Sequence, residues 1–571
     1  MSSQNSHQEL TAQILELQSE IKKLKARKKY GLVWEDKSED VVLQCEHNIP
    51  ILKEVKARKL VSDNSLPTNI LIEGDNYHSL SVLNYTHKGK IDAIFLDPPY
   101  NTGSNSWKYN NDYVDKEDSF RHSKWISFMS KRLILAKNLL KEDGILILTI
   151  DDYEIFSIGL LLDSIFGESN RLNVLIVETN PRGRTSNAFF ATSHEYYLYY
   201  SKNSEKASLA NIPLTPEQAD AFGLEDEISK YRLLPLRKSG ADSRRPDRPK
   251  QFYPIYVNSL NLKLSLEKKS GWFELWPIDS EGEERVWKLG KDSCEKFIKS
   301  GDIIVKEKGD SFVLSQKDRL KDGRKPKTVW VDPKYDASAH GTILIANILN
   351  QRDSFDYPKS LYATIDSLFP AVKENKDAII LDFFAGSGTT GHAVLELNKR
   401  DDGNRKFILC TNNENNICEE VTYERLKRVI KGYKNKRKHE VEGLGGNLSY
   451  FKTDLVSIDK LRRISDDAKI KVTYRAGEMI AMREDTLNEV QKNDWWQIFE
   501  GNGKLTAIYF KEDKAKLREF IELLEKKNIP TNLYVFGWGK NEYKNDYSTK
   551  IIRVEDIPEP ILEVYKEINR I

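Results

Sequence analysis

The chain has little cysteine, no long apolar run and no excess of charge of either sign, and each scarcity excludes something. Its four cysteines in 571 residues, Cys45, Cys294, Cys410 and Cys418, form no close pair. They build neither a zinc spacing nor a disulfide framework, so a reducing, cytoplasmic setting is expected. The nine histidines make no metal motif, and no metal is expected. No N-terminal signal pattern appears, nor any apolar stretch able to span a bilayer, so no membrane partner is expected. Lys and Arg number 89 against 87 Asp and Glu. That balance excludes a globally polybasic chain while leaving room for a local basic surface. The length is enough for more than one domain and a substantial core.

Two short segments carry most of the chemistry. Asp97-Pro98-Pro99-Tyr100 follows the apolar run Ile91-Asp92-Ala93-Ile94-Phe95-Leu96. Asp382-Phe383-Phe384-Ala385-Gly386-Ser387-Gly388-Thr389-Thr390 follows Ala378-Ile379-Ile380-Leu381. Each sits where a buried strand ends and a loop opens. In the later segment a helical pattern runs from Thr389 to Leu397. Glycines let the backbone approach a ligand, and the helix start attracts a carboxylate or phosphate. Gly386 to Gly391 also fits G-x-G-x-x-G, whose acid about 20 residues on could be Asp401, Asp402 or Glu414. The glycines alone leave a nicotinamide cofactor and S-adenosylmethionine both open.

The earlier segment breaks the tie. An adenine amine is conjugated with its ring and is a poor nucleophile. Two acceptors on its hydrogens aim its lone pair at an electrophile. Asp97 and the Pro98 carbonyl supply them, and Pro98 with Pro99 stiffens the loop. Tyr100 offers a ring on which an extruded base stacks. The Asp97 carboxylate also stabilises positive charge growing on the attacking nitrogen. An Asp-Pro turn closing a strand is common by itself. The glycine loop elsewhere in the chain is what favours the chemical role.

Asp97-Pro98-Pro99-Tyr100-Asn101-Thr102-Gly103 resembles the catalytic motif of amino-group DNA methyltransferases, and Phe384 to Gly388 resembles their S-adenosylmethionine loop. Catalytic motif before cofactor loop is the permuted order of the β class. Glu73-Gly74-Asp75-Asn76, Ser193-His194-Glu195-Tyr196 and Phe355-Asp356-Tyr357-Pro358-Lys359 agree in order. The stretch from Leu236-Arg237-Lys238 through Arg244-Arg245-Pro246-Asp247-Arg248-Pro249 is similar to modification subunits of type III restriction–modification systems. The resemblance runs from about Tyr30 to the C-terminus, with its sharpest motifs between Gly74 and Tyr423. It implies a Rossmann-like α/β methyltransferase sheet of about seven strands. It also implies S-adenosylmethionine as cofactor and methyl transfer to N6 of adenine in DNA. Asp97, Pro98, Pro99 and Tyr100 would hold the target base. Asp75 would contact the cofactor adenine. Asp382, Phe384, Ala385, Gly386, Gly388, Thr389 and Thr390, with Lys359 nearby, would hold its methionine end. Double-stranded DNA, a second copy in a homodimer and a helicase–nuclease restriction subunit are the implied partners.

One departure stands out. The family often carries a ribose-holding acid after the second cofactor strand, where this chain has Thr411-Asn412-Asn413-Glu414. The ribose contact is therefore unassigned. Alternatives stay open: a cytosine-N4 methyltransferase, a solitary adenine enzyme, an NAD-dependent oxidoreductase and a non-catalytic DNA-binding scaffold. Cytosine-N4 enzymes more often carry Ser where Asp97 stands. The oxidoreductase leaves Asp97 to Tyr100 without a role.

The organisation follows from pattern changes. Leu10, Ile14, Leu17, Ile21 and Leu24 predict an amphipathic helix or short coiled coil over 1–29. Strands are expected at Asn69–Glu73, Ile91–Asp97, Gly144–Ile150, Leu172–Thr179, Glu195–Ser201, Ile379–Phe384 and Lys406–Thr411, with a helix over Ser127–Leu140. They give a catalytic half over 30–201 and a cofactor half over 347–447. Between them, 202–346 loses the alternation and is too long for a loop, so it reads as an inserted domain, by resemblance the target-recognition domain. Its arginines Arg237, Arg244, Arg245 and Arg248 are candidate DNA contacts, although on charge alone a solvated basic loop is the favoured reading. Over 448–571 a hairpin about Gly501-Asn502-Gly503, a helix over Lys514–Lys527 and a strand over Asn532–Trp538 predict a small α+β interaction domain.

Overall fold

The computed structural model describes residues 34–569, apart from 64, 110–111, 116, 184–188, 353, 463 and 540–542. The helix expected over 1–29 lies outside the described residues. The principal sheet has ten strands. They are β1 (Asn48–Glu54), β2 (Thr68–Glu73), β3 (Ile91–Leu96), β4 (Leu140–Ile150), β5 (Arg171–Glu178), β6 (His194–Ser201), β7 (Val329–Trp330), β8 (Ile379–Asp382), β9 (Lys406–Thr411) and β10 (Asn447–Ser457). Their spatial order is β1-β10-β2-β9-β8-β3-β4-β6-β5-β7. From β10 to β4 all neighbours run parallel, and β6 lies antiparallel between β4 and β5.

The central strands are apolar throughout because helices cover both faces. Ile94, Phe95, Leu96, Leu146, Ile147, Ile380, Leu381, Phe407 and Leu409 are all 1% exposed or less. Alternation along a strand sends neighbours into different layers. Ile94 and Leu96 join a core with α1 (Asn76–Thr86), α2 (Arg121–Leu139) and α3 (Ile155–Phe166). Ala93 and Phe95 join the other core with α4 (Leu361–Val372), α5 (Thr389–Asp401) and α6 (Glu424–Lys431).

The seven strands expected from the sequence occupy consecutive places, β2-β9-β8-β3-β4-β6-β5. The sheet is longer by β1 and β10 at one edge and β7 at the other. β10 falls almost wholly within the expected C-terminal domain, 448–571. Pairing with β1 and β2, from the far end of the chain, makes it part of this sheet.

Residues Asn211–Pro326 form a second compact unit, shorter at both ends than the expected 202–346. Trp330, for example, lies in β7 beside β5 and is 7% exposed, stacked on Tyr335 at 5.3 Å. Within the second unit a four-stranded sheet, with Ser311–Arg319 and Lys230–Pro235 at its centre, accompanies a core of Leu236, Tyr253, Ile255, Trp287 and Cys294.

After β10 comes a five-stranded sheet that includes the expected hairpin, Trp496–Gly501 with Lys504–Tyr509, and the helix Lys514–Lys527. This region belongs to the same compact unit as the principal sheet. Ile508, Tyr534 and Tyr565 share one apolar core with Leu80 and Leu83 of α1, so the boundary at 447 divides a single core. Among the described residues no helix is long and apolar enough to cross a membrane.

A chain cut after residue 447 loses β10, unpairs β1 and exposes the α1 core. It is expected to show no cooperative melting transition by circular dichroism. A sharp transition in that fragment would contradict a shared core.

Candidate functional site

β8 and β3 are parallel neighbours, with Leu381 opposite Ile94. The chain leaves β8 through α5 toward β9 and leaves β3 through α2 toward β4, in opposite directions across the sheet. This is the topological switch point at which open α/β sheets hold ligands. Both sequence-singled loops, after Leu96 and after Asp382, open here at the same carboxyl edge.

The loop after β3 is fixed from several sides. Thr149, at the end of β4, donates to Asp97 Oδ1 at 2.9 Å and to the Leu96 carbonyl at 3.2 Å. Trp125 of α2 donates its indole N–H to the Pro99 carbonyl at 2.7 Å. Asn101, in left-handed backbone at φ 56°, donates to Glu154 Oε1 at 2.5 Å, and His122 Nδ1 meets the same oxygen at 2.5 Å. Tyr100 donates to Thr149 Oγ1 at 3.3 Å and accepts from the Lys359 ammonium. Lys359 also reaches Asp97 Oδ1 at 3.1 Å and Glu195 Oε2 at 2.6 Å, and lies 4.5 Å from the Tyr100 ring centroid. Burial raises the Asp97 pKa above the usual carboxylate range despite the Lys359 charge. Burial and the Asp97 charge push the Tyr100 hydroxyl well above its usual value.

Lys359, expected beside the cofactor loop, is thus engaged at the base loop. Its segment closes tightly on Gly341, where a Cβ would lie 2.3 Å from the Pro358 carbonyl oxygen. Only glycine permits that approach.

The loop after β8 is built around two buried polar groups. Asp382, 2% exposed, accepts from the Phe384 N–H at 2.9 Å and the Thr390 hydroxyl at 2.6 Å. Burial raises its pKa to about 7. Gly386 and Gly388 hold φ of 46° and 77°, which glycine adopts without strain. Behind them Arg425 of α6, 1% exposed, donates to the Ser387 carbonyl at 3.2 Å and to Thr389 Oγ1 at 2.8 Å. Burial lowers its pKa to about 9. Thr422 donates to the Gly386 carbonyl at 2.6 Å. Ala385 is buried and bonds back to β9, its N–H donating to the Cys410 carbonyl at 3.1 Å. Phe384 packs on Phe128 at 5.9 Å and Phe383 at 5.1 Å.

Asp75 caps α1 by accepting from the Tyr77 N–H at 2.7 Å and lies 3.4 Å from Arg132. Its neighbour Asn76 donates to the Phe383 carbonyl at 3.1 Å, so the β2 and β8 loops touch. The departure after β9 places Asn413 in a structural role, its side chain accepting from the Glu419 N–H at 3.1 Å.

In the second unit all four candidate arginines are exposed. Arg237 donates to the Ile278 carbonyl, Arg245 pairs with Glu284 at 3.0 Å and Arg248 lies 3.8 Å from Asp242. The Arg244 side chain has no bonded partner among the described residues.

Sequence reasoning missed Thr149, Trp125, Glu154 and Arg425, and quoted Glu195 without a role. Thr149 carried a usable signal, since it ends a predicted strand beside β3. Arg425 carried none, because only packing makes it buried, with carbonyl and hydroxyl acceptors in place of a carboxylate among the described residues.

A profile of the DNA methylase family matches residues 91–424. The chain is similar to the EcoPI Mod subunit of a type III restriction-modification enzyme from Escherichia phage P1, with 32% identity covering 68% of this chain and 64% of that one. It is similar to the type II methyltransferase M.KpnI of Klebsiella pneumoniae, with 33% identity covering 67% of this chain and 90% of that one. The StyLTI Mod subunit of Salmonella typhimurium shares 27% identity over 67% of this chain and 60% of its own length. The match therefore spans less than two thirds of either Mod subunit.

Asp382 generates a pH dependence of stability. Folding lifts its pKa from 3.8 to about 7, so the folded state holds a proton that the unfolded state releases. The associated stability is complete below pH 4 and is lost as pH rises to about 7. Asp382→Asn keeps an acceptor for Phe384 and lacks the titration. The loss of stability between pH 5 and pH 8, measured by denaturant melts, is expected to shrink by on the order of 2 kcal/mol in Asp382→Asn. An unchanged slope would place the titration elsewhere.

Proposed function

The chain belongs to the DNA methylase family, and from that premise we propose that it transfers a methyl group from S-adenosylmethionine to the N6 amine of adenine in double-stranded DNA, as the modification subunit of a type III restriction–modification system. One observation carries this: the Asp97-Pro98-Pro99-Tyr100 loop and the glycine loop open side by side at the switch point of the sheet. Relatives named as type III Mod subunits support the system, and Asp at position 97 supports adenine over cytosine.

The glycine loop fits S-adenosylmethionine. Gly386 and Gly388 keep side chains out of a close approach, and the first-turn N–H groups of α5 suit a carboxylate. Phe384, Ala385, Thr389 and Thr390, with Asp382 beneath and Asp75 across the edge, would hold it. S-adenosylmethionine supplies an electrophilic methyl group, whose transfer moves one positive charge from sulfur to the amine nitrogen. Asp97 and the Pro98 carbonyl accept the amine hydrogens and orient its lone pair. Thr149 and Lys359 both bond Asp97 Oδ1, which leaves Oδ2 for the amine. Tyr100 stacks on the extruded base, and Trp125 holds the turn through the Pro99 carbonyl. The methylated nitrogen then loses a proton to water.

Asn211–Pro326 serves target recognition in this proposal, with Arg237, Arg244, Arg245 and Arg248 toward the duplex. The region after β10 contacts a second copy of the chain or a restriction subunit.

DNA from a host expressing the chain should contain N6-methyladenine at a fixed sequence, read by mass spectrometry of digested nucleosides and by mapping. N4-methylcytosine instead would overturn the adenine assignment. Asp97→Ala should lower kcat about 100- to 1000-fold while calorimetry shows S-adenosylhomocysteine binding retained. Tight NAD binding without S-adenosylhomocysteine binding would return the glycine loop to dinucleotide chemistry.

The arginines give a separate expectation. Each phosphate contact removed by an Ala substitution should reduce the salt slope of duplex binding by about 0.9. A base-reading arginine should weaken only the target duplex, by roughly 1–3 kcal/mol. Arg244 is the first to test, and four variants that all bind like the parent at every salt concentration would make this stretch a solvated loop.

A further inference from the structure

Lys359 is enclosed by more negative charge than its own burial requires. Its ammonium, on a residue 7% exposed, lies 3.1 Å from Asp97 Oδ1 and 2.6 Å from Glu195 Oε2. Asp97 alone would satisfy the buried cation. Glu195, at the start of β6 with a side chain 12% exposed, adds a second carboxylate. Among the described residues, Asp97 and Glu195 are the carboxylates that act on the Lys359 ammonium. Tyr100 and Tyr197 stay neutral, since burial and the surrounding carboxylates hold both hydroxyls well above their usual range. Asp151 and Asp382, pushed up to about 7 chiefly by burial, are only partly ionised at neutral pH.

The count matters for the reaction proposed above, on which this inference rests. Methyl transfer places a positive charge on the target nitrogen beside Asp97. An ammonium paired with Asp97 alone would cancel the carboxylate that stabilises it. With Asp97 in its ionised form, bonded to the ammonium, two carboxylates around one ammonium leave a net charge of −1 facing the amine. We propose that Glu195 is a positioning residue for methyl transfer: it engages the Lys359 ammonium and so leaves the Asp97 carboxylate its negative charge for the target amine. Removing one preorganised electrostatic partner of a developing charge typically costs on the order of 100-fold in rate.

The test is a charge cycle on the full chain and its mapped duplex, with Glu195→Gln, Lys359→Met, the double variant and Glu195→Asp. Gln still accepts from Lys359 but carries no charge. Glu195→Gln should lower kcat about 100-fold. Its KM values, its melting temperature and its S-adenosylhomocysteine affinity by calorimetry should match the parent. The double variant removes one charge of each sign and again leaves −1 at Asp97. It should recover to within about 10-fold of the parent, and Glu195→Asp should fall between Glu195→Gln and the parent. A Glu195→Gln rate equal to the parent, or a double variant no faster than Glu195→Gln, overturns the inference while an active parent leaves the reaction assignment standing. A fall in melting temperature or cofactor affinity that tracks the loss of rate makes Glu195 structural and also overturns it. A parent chain that methylates no DNA removes both.

Discussion

The parallel pairing of β3 with β8 is the constraint on which the site depends. The two strands come from distant parts of the chain, and each ends in a loop that alone resembles an ordinary turn. Side by side, with their following helices departing in opposite directions, they open one crevice lined by both loops. Every other site group is positioned relative to that edge. Thr149 arrives at the end of β4, Glu195 at the start of the antiparallel β6, and Lys359 just before α4.

Buried cations hold the edge in shape. Arg132 of α2, fully buried, bonds Glu39 at 2.7 Å and the Asn76 side chain, and its guanidinium lies 3.7 Å from the Phe128 ring centroid. Phe128 in turn packs on Phe384, so α2 ties the β2 loop to the glycine loop. Arg425 does comparable work from behind with carbonyl and hydroxyl acceptors, and Lys359 does it at the base loop. Leaving the donors of such a buried cation without acceptors costs several kcal/mol, so each cation strongly prefers one arrangement of the loops it joins. The result is a preorganised polar edge, which is what stabilisation of developing charge requires.

The same sheet explains why the regions beyond it were harder to delimit. A compact unit is defined by which residues share a core, and cores are assembled from distant segments. β10 closes one edge of the sheet, and the C-terminal strands extend the core that α1 begins. Asn211–Pro326 keeps a separate core around Trp287, and Trp330, similar in composition, belongs to the sheet.

The seven strands around the switch point, both loops, their permuted order and the helix over Lys514–Lys527 are legible in the sequence. Those features rest on local signals: apolar runs, prolines, glycines and helical periodicity. Asp97, Tyr100 and the glycine loop stand out in it as candidates, because their chemistry is carried by adjacent residues. The tertiary structure set what remained. It bonded Lys359 to both Asp97 and Glu195, set Thr149 on Asp97, and buried Arg425 behind Ser387. It also paired Arg245 and Arg248 with acids in their own unit. Charge pairing and burial depend on distances between residues far apart in the chain, and composition and spacing do not encode those distances.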